Sequence, residues 1–245
     1  MSDHLRHAAP PPGPPAQVPA SPDFERLPWL CLLPILATGL YYLLPTDWQA
    51  LRTMQFLPQG SAYLAFGIWL ACNDNPVARL GLCSQLRTEG VLWGFRIGLA
   101  LGVINASIIL WVVPWLGRDI LFLRETPHAQ IPVLIMVPWV ICAIALFVEL
   151  NFRGFLLGRL LTFFIQLSPY ASRLTPYVLA VGLSALVFSF DPFMVVTFRH
   201  LHWIAVWDGL VWGLLWVQLR NLYAPIVAHA VEVMVMYSII KTALS

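Results

Sequence analysis

Along most of the chain, apolar residues come in long blocks, at 27–44, 56–72, 91–116, 131–149, 175–190, 203–219 and 222–240, with polar and turn-forming residues confined to the gaps. Blocks of this length approach the roughly 20 residues that an α-helix needs to cross hydrocarbon. The pattern predicts an all-α fold, a polytopic transmembrane helix bundle of about 7–8 spans. The count turns on residues 152–169, where Arg153 and Arg159 punctuate an apolar run that reads as a half-helix, a surface helix or an eighth span. The gaps are short and hold loop formers such as the Asn-Asp-Asn-Pro at 73–76, so no soluble domain is expected between the spans. Residues 1–26 differ: with seven prolines among Ala, Gly and charged residues, they bury too little apolar area to offset ordering. They are read as a disordered tail ahead of a transmembrane domain at 27–245.

Composition supports lipid as the solvent. Of 245 residues, 59% are hydrophobic and 11% charged, where a soluble domain carries about 25% charge. The net charge of +2 and the scatter of the 14 cations argue against a nucleic-acid partner. Four cysteines, at 31, 72, 83 and 142, form no CxxC pair, and no disulfide framework follows. Every cation except Lys241 is Arg, a bias that fits a GC-rich bacterial source. The expected location is the bacterial inner (plasma) membrane, with the lipid bilayer as the first partner.

Ionisable groups inside spans cost several kcal/mol and are functional candidates for that reason. They are Arg96, Glu149, Arg153, Asp208, His229 and Glu232, with His200 and His202 just before the sixth block. Glu149 and Arg153 stand four apart, share a helix face and can pair, either as part of a site or as a lock between helices. His229 and Glu232, three apart, also share a face, where a buried His is often only a hydrogen-bonded packing residue. Arg96 and Asp208 are read as neutralising each other or a headgroup, and His200 and His202 as interface residues or site residues.

The segment VELNFRGFLLGRL, at 148–160, resembles the first motif, EExxxR, of the CAAX-protease and bacteriocin-processing family of intramembrane endopeptidases. In the same order, SALVFSF resembles that family's serine-rich span, HWIAVWDGLVWG its glycine-spaced segment, and NLYAPIVAHA the lead-in to its third motif. The resemblance covers about residues 131–240, read as a CAAX-protease-like core, and the short gap between the second and third motifs looks most like the exosortase-associated branch. It implies an intramembrane endopeptidase of glutamic type. Carried over by position, Arg153 and His229 match, Glu149 takes the second Glu of the pair, and Val148 stands where the first belongs. The second motif, FxxxH, is best met by Phe198 with His202, with His200 as the competing histidine, since the position four after Phe188 is Pro192. The Asn that follows the third-motif His by four is Val233, with Glu232 one position earlier in a supporting role.

Peptide hydrolysis in a membrane needs a base for water, a donor for the oxyanion and an enclosed wet cavity. Glu149 is the candidate base, Arg153 its support, and His202 and His229 the donors. A residue at 149 lies about 100° round an α-helix from 148, so Glu149 replaces the missing base only through a local rotation or a π-bulge. The expected function is hydrolysis of a peptide bond in a membrane-associated or exported protein. The alternative, motivated by Val148 and Val233, is a catalytically degenerate homologue acting as a membrane scaffold or chaperone. A zinc set of His200, His202, His229 and Glu232 is a third reading, but the motif pattern accounts for His202 and His229 without metal, so no cofactor is expected.

Overall fold

The computed structural model describes residues 25–167, 172 and 174–244, so the proline-rich stretch lies outside the described residues up to position 24. Among the described residues every regular element is helical. Leu27 takes a left-handed backbone at φ 55°, and Pro28, whose missing N–H is no loss at a helix start, opens a short 3₁₀ turn into α1, Leu32–Leu43. α2 is Leu57–Cys72, started by Pro58 in the same way, and α3 is Arg87–Ser107. α4 runs unbroken from Val133 to Leu167. α5 is Thr175–Ser189, α6 Pro192–Phe198, α7 Ile204–Leu219 and α8 Tyr223–Leu244.

Three stretches are long and apolar enough to cross a membrane among the described residues: Pro76–Trp115, Val133–Leu167 and Tyr223–Leu244. α5 and the helical segment Pro192–Leu201 meet the same criterion together, bent by 53° at the break. By length and composition, three or four helices therefore reach across a bilayer, fewer than the 7–8 that the apolar blocks predict. Apolar blocks report hydrophobicity alone. The blocks at 27–44, 56–72, 175–190 and 203–219 form helices of 12, 16, 15 and 16 residues, each short of a full span by itself. The stretch 152–169 resolves clearly up to Leu167: it continues α4, and both Arg153 and Arg159 are buried, which rules out a helix lying on the surface.

The axis of the fold is the contact between α3 and α8. Gly90, Gly94, Gly98 and Gly102 form one stripe along α3, and a methyl group on any of them would come closer than 3.0 Å to Asn221, Ala224, Ala228 or Val235. Small residues at every fourth position let two helix backbones approach, and in lipid that close packing replaces the hydrophobic effect as the force joining helices. The approach brings Asn105, near the end of α3, fully buried, against the middle of α8.

Both halves of the chain share one core. Leu30, Cys31, Ala65, Trp69 and Leu80 pack with Phe155, Leu156, Leu160, Trp212, Trp216 and Leu222. At the start of the described chain, the Glu25 carboxylate accepts from Trp69 Nε1 at 3.0 Å and Thr162 Oγ1 at 3.2 Å, and pairs with Arg159, whose guanidinium lies 4.0 Å over the Trp69 ring. The outer faces carry Trp111, Trp115, Leu134 and Trp139, all exposed, as expected of surfaces that meet lipid.

Candidate active site

α4 changes pitch where it carries the polar motif. Ile141–Glu149 is α-helical and Leu150–Leu157 is π-helical, a wider turn that shifts the side chains following it out of α-helical phase. Glu149, the last residue before the change, is fully buried. Its Oε1 accepts from Arg153 Nη1 at 3.0 Å and meets His229 Nδ1, from α8, at 2.9 Å. The Arg153 guanidinium lies 4.6 Å from the Phe188 ring centroid and 4.9 Å from that of Trp212. The His229 ring stacks on Trp212, with centroids 4.4 Å apart and planes 19° apart. Gly209, on α7, lets that helix pack closely on α5: a methyl there would stand 3.0 Å from Ala185 Cα and Cβ. The imidazole and the guanidinium are therefore held by rings on α5 and α7 and by one carboxylate oxygen on α4.

A second polar cluster lies beside the first. The Asn105 amide donates through Nδ2 to Asp208 Oδ1 at 3.1 Å and to Glu232 Oε1 at 2.6 Å, and its Oδ1 accepts from Trp207 Nε1 at 3.1 Å. Asp208 and Glu232 are nearly inaccessible to solvent, and Arg153 acts electrostatically on both.

Both clusters border a cavity of about 1310 Å³, whose walls include Val148, Phe152, Phe188, Asp208, Trp212, His229, Glu232 and Val233. Glu149 and Arg153 sit behind this wall, while His229, Asp208 and Glu232 form part of it. Position 148, where the resemblance expects a Glu, does face the cavity, and the valine presents only methyl groups there. At the other end, His128 from the loop before α4 stacks on Phe198, and burial holds its imidazole below the ordinary value of 6.5.

The structure thus brings together three of the four expected catalytic residues, Glu149, Arg153 and His229, with Glu232 one turn along α8. It does not bring His202 or His200 to them. Phe198 ends α6, and Arg199 takes φ 49° and ψ −127°, which breaks the helix on which an FxxxH pair depends. His202 Nδ1 instead meets the Arg199 carbonyl at 2.6 Å and its ring lies against Phe190, while His200 lies against Phe122. The phenylalanine beside Arg153 is Phe188. Three residues after it, Asp191 caps α6 through Phe193 N at 3.0 Å, accepts from Gln59 at 2.9 Å and borders the cavity. The zinc set fails for the same reason, since its histidines lie apart, and among the described residues no three His, Cys, Asp or Glu side chains are placed to hold one metal ion. Arg96 is exposed beside Trp93 and does not neutralise Asp208, whose neighbours are Asn105, Glu232 and Arg153.

Asn105 and Asp191 were not singled out by sequence. An uncharged amide in a span gives no signal of its own. The glycine stripe on α3, which fixes that helix against α8, is the feature that points to Asn105.

Residues 130–235 match the family model described as type II CAAX prenyl endopeptidase Rce1-like. No curated protein and no solved structure matches the chain.

Proposed function

We propose, with a C-terminal region of the Rce1-like family as premise, that this chain is an intramembrane endopeptidase in which Glu149 and His229 act as one unit. Glu149 fixes the imidazole through Nδ1, which leaves Nε2 as the nitrogen able to take a proton from water. The observation that carries the reading is the 2.9 Å contact between His229 Nδ1 and Glu149 Oε1, with His229 on the cavity wall and Glu149 behind it. A carboxylate sealed behind a histidine is suited to orienting it and to stabilising its charged form, more than to meeting water itself. Arg153 anchors the same oxygen at 3.0 Å, so the carboxylate is held from two sides.

The substrate class follows from the walls. A large cavity lined mainly by aliphatic and aromatic side chains, with polar groups on one side, suits an apolar chain whose attached peptide bond lies against those groups. A lipid-modified or membrane-embedded peptide end of an exported protein has that form, and a multi-pass setting in a bacterial plasma membrane would supply it.

The test is cleavage of lipid-modified and sorting-tail peptides by the full chain in proteoliposomes, with products mapped by mass spectrometry. Wild type should release a defined carboxyl-terminal fragment, and His229→Ala should lower the rate about 10³-fold. Equal rates in the two would end the reading, and absence of cleavage in both would favour a scaffold.

A further inference from the structure

We infer that Asp208 and Glu232 form a carboxyl pair sharing one proton, and that this proton is the acid which meets the oxyanion as the peptide bond is attacked. The inference rests on the peptidase reading above and adds the component that Val148 and Val233 leave without a polar group.

The pair is built from three helices. Trp207 holds the Asn105 carbonyl, so the amide must turn its NH2 toward the two carboxyls, and it donates to one oxygen of each. One amide nitrogen donating to Asp208 Oδ1 at 3.1 Å and to Glu232 Oε1 at 2.6 Å brings the two carboxyls side by side, where a proton on one of them relieves their mutual repulsion. The surroundings agree. Arg153 faces Glu149, Asp208 and Glu232, three carboxyls to one guanidinium, and full ionisation would leave uncompensated negative charge where water is largely excluded. The remaining charged or titratable neighbour, His229, lies three residues before Glu232 on the same face of α8, where side chains start about 5–6 Å apart. Glu232 Oε2 is buried without a protein partner among the described residues, on a side chain that borders the cavity.

The chemistry balances. His229 Nε2 takes a proton from water while the water oxygen bonds to the carbonyl carbon. The carbonyl π pair moves onto oxygen, which accepts the shared proton. On collapse that proton returns to the pair as the C=O re-forms, the C–N bond breaks with its electrons on nitrogen, and nitrogen takes the proton held by His229. Peptide and water become acid and amine, and every group on the protein ends as it began. A proton shared by two carboxyls side by side is the arrangement that lets one member stay protonated at neutral pH.

Two measurements on the full chain in lipid vesicles test this. The first is infrared spectroscopy of wild type at neutral pH, which should show a carboxylic-acid carbonyl band that Asp208→Asn and Glu232→Gln each remove. Absence of any such band in wild type overturns the inference without any need for the variants to fold. The second is kinetics on a cleaved peptide: each substitution should lower kcat about 10²–10³-fold with KM within about threefold. Wild-type kcat in either variant overturns this inference alone, whereas failure of wild type to cleave overturns the peptidase reading beneath it.

Discussion

α4 carries the arginines of two buried Glu–Arg associations six residues apart, and they differ in how far the carboxylate is used and in what lies beside it. Around Arg159 the Glu25 carboxylate is saturated: Oε1 serves Trp69 and Arg159, and Oε2 serves Thr162 with Arg79 at 4.0 Å. Around Arg153 it is not. Glu149 Oε1 takes both the guanidinium and the imidazole, while Glu149 Oε2 has no protein hydrogen-bond partner among the described residues, and the histidine opens onto a cavity. Burial of an ion pair therefore does not mark a site by itself. The mark is unspent polar capacity next to a space that a substrate can enter.

Substitutions on the two sides should separate rate from stability. The largest effect on rate is expected from His229→Ala, about 10³-fold in kcat with the fold retained, read by peptide cleavage and thermal melting side by side. Arg159→Met should do the reverse. It leaves the buried Glu25 carboxylate with only the longer Arg79 contact at 4.0 Å and should cost about 3 kcal/mol of stability, measured by denaturation in detergent, while the rate per folded molecule stays near wild type. If Arg159→Met instead removed activity from a fully folded chain, the distinction between the two associations would collapse.

A smaller effect tests how the second cluster is positioned. Gly98→Ala places a methyl against the Ala228 backbone and should push α3 from α8 at a cost of about 1–3 kcal/mol, seen as a lower melting temperature. An unchanged melting temperature would mean that the glycine stripe is not what sets the approach. The smallest is a pH effect at the cavity end. Burial lowers the His128 pKa, so below about 6.5 the unfolded chain binds a proton that the folded chain resists, and stability falls as pH drops through that range. His128→Gln should flatten that part of the melting-temperature profile, and an unaltered slope would assign it elsewhere.

The same contrast explains what was legible in the sequence. Glu149, Arg153 and His229 carry charge or titratable nitrogen into apolar runs at motif spacing, and all three converge. His202 lies apart from them because FxxxH presumes a continuous helix, and the backbone turns at Arg199. Asp208 and Glu232 stood out as charges in spans, yet their partner did not. Pairing by opposite sign suggested Arg96, which is exposed beside Trp93, whereas the actual link is the neutral Asn105, which charge-based reading passes over. Only three or four of the 7–8 expected spans are helices long enough to meet the length and hydropathy criterion, because the blocks at 175–190 and 203–219 are helices of 15 and 16 residues.

If Glu149 acts through His229 on a peptide bond, removing its charge must slow cleavage. The most direct measurement is the cleavage rate of a membrane-tethered peptide by Glu149→Gln in vesicles, with wild type and folding monitored in parallel. A loss of about 10²–10⁴-fold in kcat from a chain that remains folded is expected; a Glu149→Gln chain that cleaves as fast as wild type would rule out this role for Glu149.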